Sequence, residues 1–165
     1  MADVADLRMS LDEDRACNCE ALFKASRRIS QLYDVALSAC GLTANQRSIL
    51  AEISRSPSMT MGKLAEALIK DPGAVARALK PLERDGLIAV RIDATDRRHR
   101  LIALTDAGEA RLREADALWE KAQHCFEEAF GKMGSPNLQG ALEALSSNGI
   151  LYAIQRALRA GRGRD

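Results

Sequence analysis

The chain has 165 residues, 47% of them hydrophobic and only 4% aromatic, enough for a packed core of alanine and leucine but not for aromatic ligand cages. Its 24 Lys and Arg nearly balance 23 Asp and Glu, a formal charge of +1, which excludes a uniformly cationic surface and leaves room for a local patch. There is no apolar run of about 18 residues, and the first stretch, MADVADLRMSLDEDRAC, is acidic where a secretory leader is basic and then apolar, so a cytoplasmic protein without a membrane partner is expected.

Residues 1 to 14 are polar and acidic and read as a mobile N-terminus. From 15 to 38, Leu22, Ile29, Leu32 or Tyr33, and Ala36 or Leu37 fall at the spacing of a long amphipathic helix, closed by Cys40-Gly41-Leu42. Thr43 and Gln46 form a capping box, so a second helix is predicted over 44 to 54 with Ile49, Leu50 and Ile53 inward. Ser56-Pro57-Ser58 reads as a loop, and Thr60 caps a short third helix carrying Leu64, Ala65 and Leu68. After Ile69-Lys70, Asp71 as N-cap and Pro72 at the first helical position open a fourth helix. Two short helices with a tight joint make a helix-turn-helix.

Val75, Ala78, Leu79 and Leu82 give that fourth helix its apolar stripe, leaving Gly73, Ala74, Ala76, Arg77, Lys80 and Arg84 free. Small residues at its N-terminal end permit close backbone approach, and the unpaired N–H groups there favour an anion, as in a recognition helix entering a major groove. Pro81 removes the bond to the Arg77 carbonyl, costs about 3 kcal/mol in a straight helix, and predicts a bend. Asp85-Gly86 stops the helix, with Gly86 in the left-handed conformation. Leu87, Ile88, Val90 and Ile92 then read as one strand and Leu101, Ile102 and Leu104 as its return, a two-stranded hairpin with a polar, cationic tip. Residues 70 to 100 hold eight Lys and Arg against five Asp and Glu, so the positive charge collects here.

Thr105 caps a long helix running to about Phe130, with Ala115, Leu118, Trp119, Ala122, Cys125, Phe126 and Ala129 on one stripe. Residues 131 to 137 read as a break. A last helix over 138 to 160 carries Leu142, Leu145, Leu151, Ile154 and Leu158, interrupted at 146 to 149, and Arg156, Arg159, Arg162 and Arg164 read as a solubilising end. These wide apolar faces exceed what the small central domain can cover, which predicts a second copy as partner.

Arg77 suits a two-bond contact to guanine and Lys80 a phosphate. Thr60, Gly73, Ala74, Arg84, Arg97, Arg98 and Arg100 complete the expected DNA contacts. Neither His99 nor His124 has a nucleophile or carboxylate at catalytic spacing, and there is no glycine-rich phosphate loop, so neither an enzyme nor a cofactor is expected. Cys17, Cys19, Cys40 and Cys125 read as reduced thiols: ordinary packing, a redox sensor, or a weak Cys-x-Cys metal site joined by His124. No second spaced pair supports the metal, so none is expected.

Helix, Asp85-Gly86-Leu87-Ile88 turn, strand, Asp96-Arg97-Arg98 tip, strand, and Leu104-Thr105-Asp106-Ala107-Gly108 opening a helix: this order resembles the winged helix-turn-helix of the multiple antibiotic resistance regulator (MarR) family, over roughly residues 17 to 130. The resemblance implies a mainly helical fold with a small β-hairpin wing. Its DNA-binding part would span 41 to 104, and dimerisation helices 15 to 40 and 105 to 160. It implies that Asp96 pairs with Arg98 to hold the wing while arginine enters the minor groove. The implied function is a homodimer that represses transcription at a pseudo-palindromic double-stranded operator and is released by a small molecule or by oxidation.

Cys19, followed fourteen residues on by Tyr33, is similar to the first helix of the organic-hydroperoxide-sensing branch, whose matching cysteine is the oxidised thiol. Phe23 and Ala44 depart from further tyrosines of that branch. Cys125 would be the resolving thiol across the dimer, and Tyr33, Arg47 and Trp119 would line an effector pocket. The rival expectation is a winged module that binds another protein and leaves DNA alone.

Overall fold

The computed structural model describes residues 17–92, 100–131 and 134–161. Residues 1 to 14 and the wing-tip residues Asp96, Arg97, Arg98 and His99 lie outside them. No described helix is long and apolar enough to cross a membrane.

Local cap chemistry sets the helices. Helix α1 (Asn18–Leu37) is followed by one 3-10 turn, Ser38–Cys40. Helix α2 (Ala44–Ser54) opens on the full capping box of Thr43 and Gln46, and Asp34 of α1 accepts the Ala44 N–H at 2.6 Å. Strand β1 (Met59–Thr60) leads into α3 (Met61–Ala67), capped by the Thr60 hydroxyl. Helix α4 (Pro72–Arg84) begins where Asp71 accepts the Ala74 N–H at 3.1 Å. Strands β2 (Ile88–Ile92) and β3 (Arg100–Leu104) follow, then α5 (Asp106–Phe130), α6 (Gly134–Ser146) and α7 (Asn148–Gly161).

Two joints place the helix-turn-helix. At the end of α4, Gly86 takes φ +70°, the Gly86 N–H reaches the Glu83 carbonyl at 3.0 Å and the Leu87 N–H reaches the Leu82 carbonyl at 2.9 Å, the paired bonds of a glycine-terminated helix. The same bonding closes α3, from Ile69 to Glu66 and from Lys70 to Ala65. There the left-handed residue is Ile69, φ +51° and 72% exposed, a strained choice for a β-branched side chain. Helix α4 continues through Pro81 to Arg84. The single bond lost there is to the carbonyl of an exposed residue, Arg77.

The sheet is antiparallel in the order β1-β3-β2, with Met59 opposite Ile102 and Val90 opposite Ile102 from the other side. The expected two-stranded hairpin thus gains a third strand from the segment before α3. The expected last helix also differs. It begins at Gly134 rather than 138, because Pro136 sits in the first turn, where backbone N–H groups have no intrahelical partner. At the expected interruption it divides after Ser146, and the Ser147 hydroxyl accepts the Ile150 N–H at 3.4 Å to open α7.

The chain forms two compact units, Met1–Trp119 and Glu120–Asp165. In the first, Leu37, Ile49, Leu50, Leu64, Val75, Leu82 and Ile102 are fully buried, joined by Leu112 and Ala115 of α5, each large aliphatic contributing about 1.5–3 kcal/mol of burial. Residues 18 to 32 of α1 are exposed, including Leu22, Phe23, Ile29 and Leu32. In the second unit α6 and α7 pack on each other, and Leu142, Leu145, Leu151, Tyr152, Ile154 and Leu158 remain exposed.

The base of the hairpin is tied to α5 by one threonine. The Thr105 N–H donates to the Leu87 carbonyl at 3.1 Å, its hydroxyl donates to the Gly86 carbonyl at 2.6 Å, and the same hydroxyl accepts the Gly108 N–H at 3.0 Å. Gly108 lies so close to Leu87 that a Cβ there would stand 1.9 Å from the Leu87 carbonyl oxygen.

Candidate nucleic-acid interface

Helix α4 buries Val75, Leu79 and Leu82 and turns Gly73, Arg77, Lys80 and Arg84 outward. Those four lie at intervals of four, three and four residues, so they form one stripe. Among the described residues, neither Arg77 nor Lys80 makes an ion pair or side-chain hydrogen bond, and both are exposed. Arg84 differs: its Nε donates to Asp85 Oδ1 at 2.9 Å, and that hydrogen bond together with the carboxylate's charge raises its pKa further above the ordinary guanidinium range. Ala74 is half-buried at the first turn, its N–H taken by Asp71.

Thr60 is half-buried and spends its oxygen on the Lys63 N–H at 3.3 Å. Lys63 itself is exposed, its Nζ 3.4 Å from the Ser58 carbonyl. At the stem of the hairpin Arg100 faces Ile92 across the ladder, and exposed Arg91 faces Leu101. Lys63 and Arg91 add cations that reading by helix face and tip had not singled out. For Arg91 the signal was available, since it is one of the eight cations of residues 70 to 100.

The three residues expected around an effector come together. Tyr33 of α1 and Trp119 of α5 lie with ring centroids 4.0 Å apart, and the Arg47 guanidinium of α2 stands 4.6 Å from the Trp119 ring centroid. Arg47 also donates to Asp116 from Nε at 2.9 Å and Nη2 at 2.6 Å. Asp116 was not legible in advance. An open cavity of about 420 Å³ lies between the end of α2, β3 and α5, lined in part by Ile53, Pro57, Leu104, Leu112, Arg113 and Asp116.

Cys40 is buried, its thiol donating to the Leu37 carbonyl at 3.1 Å. Cys17, Cys19 and Cys125 are exposed in the single chain, which corrects the packing expectation for those three. No three metal-ligating side chains gather among the described residues.

A helix-turn-helix whose second helix shows a cationic stripe beside a basic hairpin is the architecture of winged-helix regulators. The chain belongs to the MarR family, whose sequence profile matches residues 42–99. It is 32% identical over 90 residues to the organic hydroperoxide resistance transcriptional regulator of Bacillus subtilis (strain 168), a match over 54% of this chain and 61% of that protein. It is likewise 32% identical over 90 residues to the transcriptional activatory protein BadR of Rhodopseudomonas palustris, over 53% of this chain and 51% of that one. The matches thus span about half to three-fifths of these curated relatives. Among solved structures, the M. tuberculosis transcriptional regulator MosR in complex with DNA is 36% identical, with a TM-score of 0.64, over 79% of this chain and 99% of that one.

Proposed function

We propose that the chain is a homodimeric, sequence-specific DNA-binding repressor, released from a pseudo-palindromic operator by a small ligand or by thiol oxidation. One observation carries the reading: the outward stripe Gly73, Arg77, Lys80, Arg84 on α4, with its two central cations exposed and, among the described residues, unpaired. In this reading Gly73 and Ala74 let the helix end approach the groove, Arg77 reads a base, and Thr60, Lys80, Arg84 and Arg100 meet phosphates. The wing roles of Asp96, Arg97 and Arg98 come from the family resemblance. MosR, bound to DNA in its solved complex, supports duplex DNA as the partner.

A second copy covers the exposed apolar residues of α1, α6 and α7 and sets the two α4 helices about one turn of duplex apart, about 34–36 Å. The winged part is then 41 to 104, with 15 to 40 and 105 to 160 as dimerisation helices, and the protein works in the cytoplasm beside the chromosome. A ligand near Tyr33, Arg47 and Trp119 that weakens operator binding must bind the DNA-bound form less tightly.

The experiment is selection from a random duplex pool, followed by titration of the selected operator at rising salt. Affinity is expected to fall by orders of magnitude between about 50 and 200 mM salt. No selected sequence, or a flat salt response, sinks the reading and favours a protein-binding module.

For the thiol route, the exposed Cys19 is accessible to a peroxide, which would transfer one oxygen to the thiolate and leave as alcohol or water; the Cys125 thiol would then attack the sulfenic sulfur, breaking its S–O bond and releasing water to leave a disulfide. Mild peroxide is expected to oxidise Cys19, either to a sulfenic acid or, with loss of water, to a disulfide with Cys125, and to lower operator affinity. An unmodified Cys19 with unchanged affinity removes this branch.

A further inference from the structure

Arg47 joins three helices with one guanidinium. Both of its bonds go to Asp116 Oδ1 on α5, it stands over Trp119 one turn further along that helix, and Trp119 lies tilted against the buried Tyr33 of α1. The Arg47 side chain is 22% exposed and that of Asp116 41%, so the arginine end of the pair is partly shielded from salt. The corner between α1 and α2 is fixed independently, by Asp34 on the Ala44 N–H and by Arg111 of α5 donating to the Cys40 carbonyl.

Helix α5 is therefore held at two points, Arg111 and the Asp116–Trp119 turn. One point locates a rod; two points fix its direction. A shielded ion pair adds little net stability over an apolar pair of the same size, but a planar guanidinium bonded through two nitrogens and set over an indole admits few orientations. None of these side chains lies on the cationic stripe of α4.

We propose that Arg47 is a positioning residue that fixes the direction of α5 against the helix-turn-helix, and through it the separation of the two recognition helices. This rests on the dimeric DNA-binding reading above. Helix α5 runs unbroken from the clamp to Phe130, so loosening the clamp leaves each α4 intact while spoiling their joint fit to two half-sites.

The test measures affinity of the full-length protein, by fluorescence anisotropy, for the selected two-half-site operator, for a single half-site, and for operators with one base pair added or removed between half-sites. Arg47→Met is expected to lose about tenfold on the full operator, within the usual range of coupling between sites, to change by less than about twofold on the half-site, and to blur the spacing preference. Asp116→Asn, of unchanged size, is expected to act in the same direction and carries the test if Arg47→Met fails to fold. Equal losses on both duplexes, or an undiminished and still sharp spacing preference in a folded variant, overturn the proposal. Wild-type protein that binds neither duplex overturns the regulator reading itself, and the clamp's role with it.

Discussion

Gly108→Ala is expected to lower the stability of the first compact unit by about 3 kcal/mol or more, the upper range for forced overpacking, or to prevent it folding. The added Cβ would stand 1.9 Å from the Leu87 carbonyl oxygen, 2.9 Å from its carbon and 3.3 Å from the Leu87 Cα. All three are backbone atoms, so no side chain can swing aside. Neither wall can retreat cheaply: Leu87 donates to the end of α4 and accepts from Thr105, and Gly108 donates to the Thr105 hydroxyl. Thermal unfolding followed by circular dichroism reads the effect. Gly62→Ala is the control, since a Cβ there meets nothing within 4 Å and alanine favours helix by about 1 kcal/mol. An unchanged midpoint for Gly108→Ala would mean that the α5 start does not press on the hairpin base as described.

Arg77→Ala is expected to cost 10- to 100-fold on the selected operator, about 1–3 kcal/mol, with a much smaller loss on scrambled duplex. Its neighbour gives the contrast. Lys80→Ala is expected to weaken both duplexes alike and to reduce the logarithmic salt slope by about one. The distinction follows from shape, because a guanidinium fork matches two acceptors on a guanine edge while an ammonium is a point charge for phosphate. Both residues are exposed and unpaired among the described residues, so truncating either leaves no buried charge behind. If Arg77→Ala weakens operator and scrambled duplex equally, Arg77 is a backbone contact and base reading lies elsewhere.

What was legible in the sequence was local chemistry. The starts of α2 and α4 are written in Thr43 with Gln46 and in Asp71 with Pro72, and the end of α4 in Gly86, because each cap acts within a few residues. The outward stripe of α4 follows from helical period alone. Strand β1 was not legible, since two residues carry no alternation and gain their identity only from Ile102 and Leu101 across the sheet. The start of α6 at Gly134 was not legible either, since a proline inside a first turn and one outside a helix look alike until the helix is placed. Asp116 lies 69 residues from Arg47, beyond any periodic pattern, and the exposure of Cys17, Cys19 and Cys125 depends on what the rest of the fold leaves uncovered. Resemblance marked Leu-Thr-x-x-Gly as distinctive; the reason, a backbone approach to Leu87, needed coordinates.

The short strand β1 has a mechanical consequence. Because β3 is bonded on one edge to β2 and on the other to Met59 and Thr60, and Thr60 is also the cap of α3, the stem of the hairpin cannot pivot like a free flap. A tug on the stem is geared through two residues into the front half of the helix-turn-helix, so gripping a duplex at its flank and seating a helix in its groove become a single stroke.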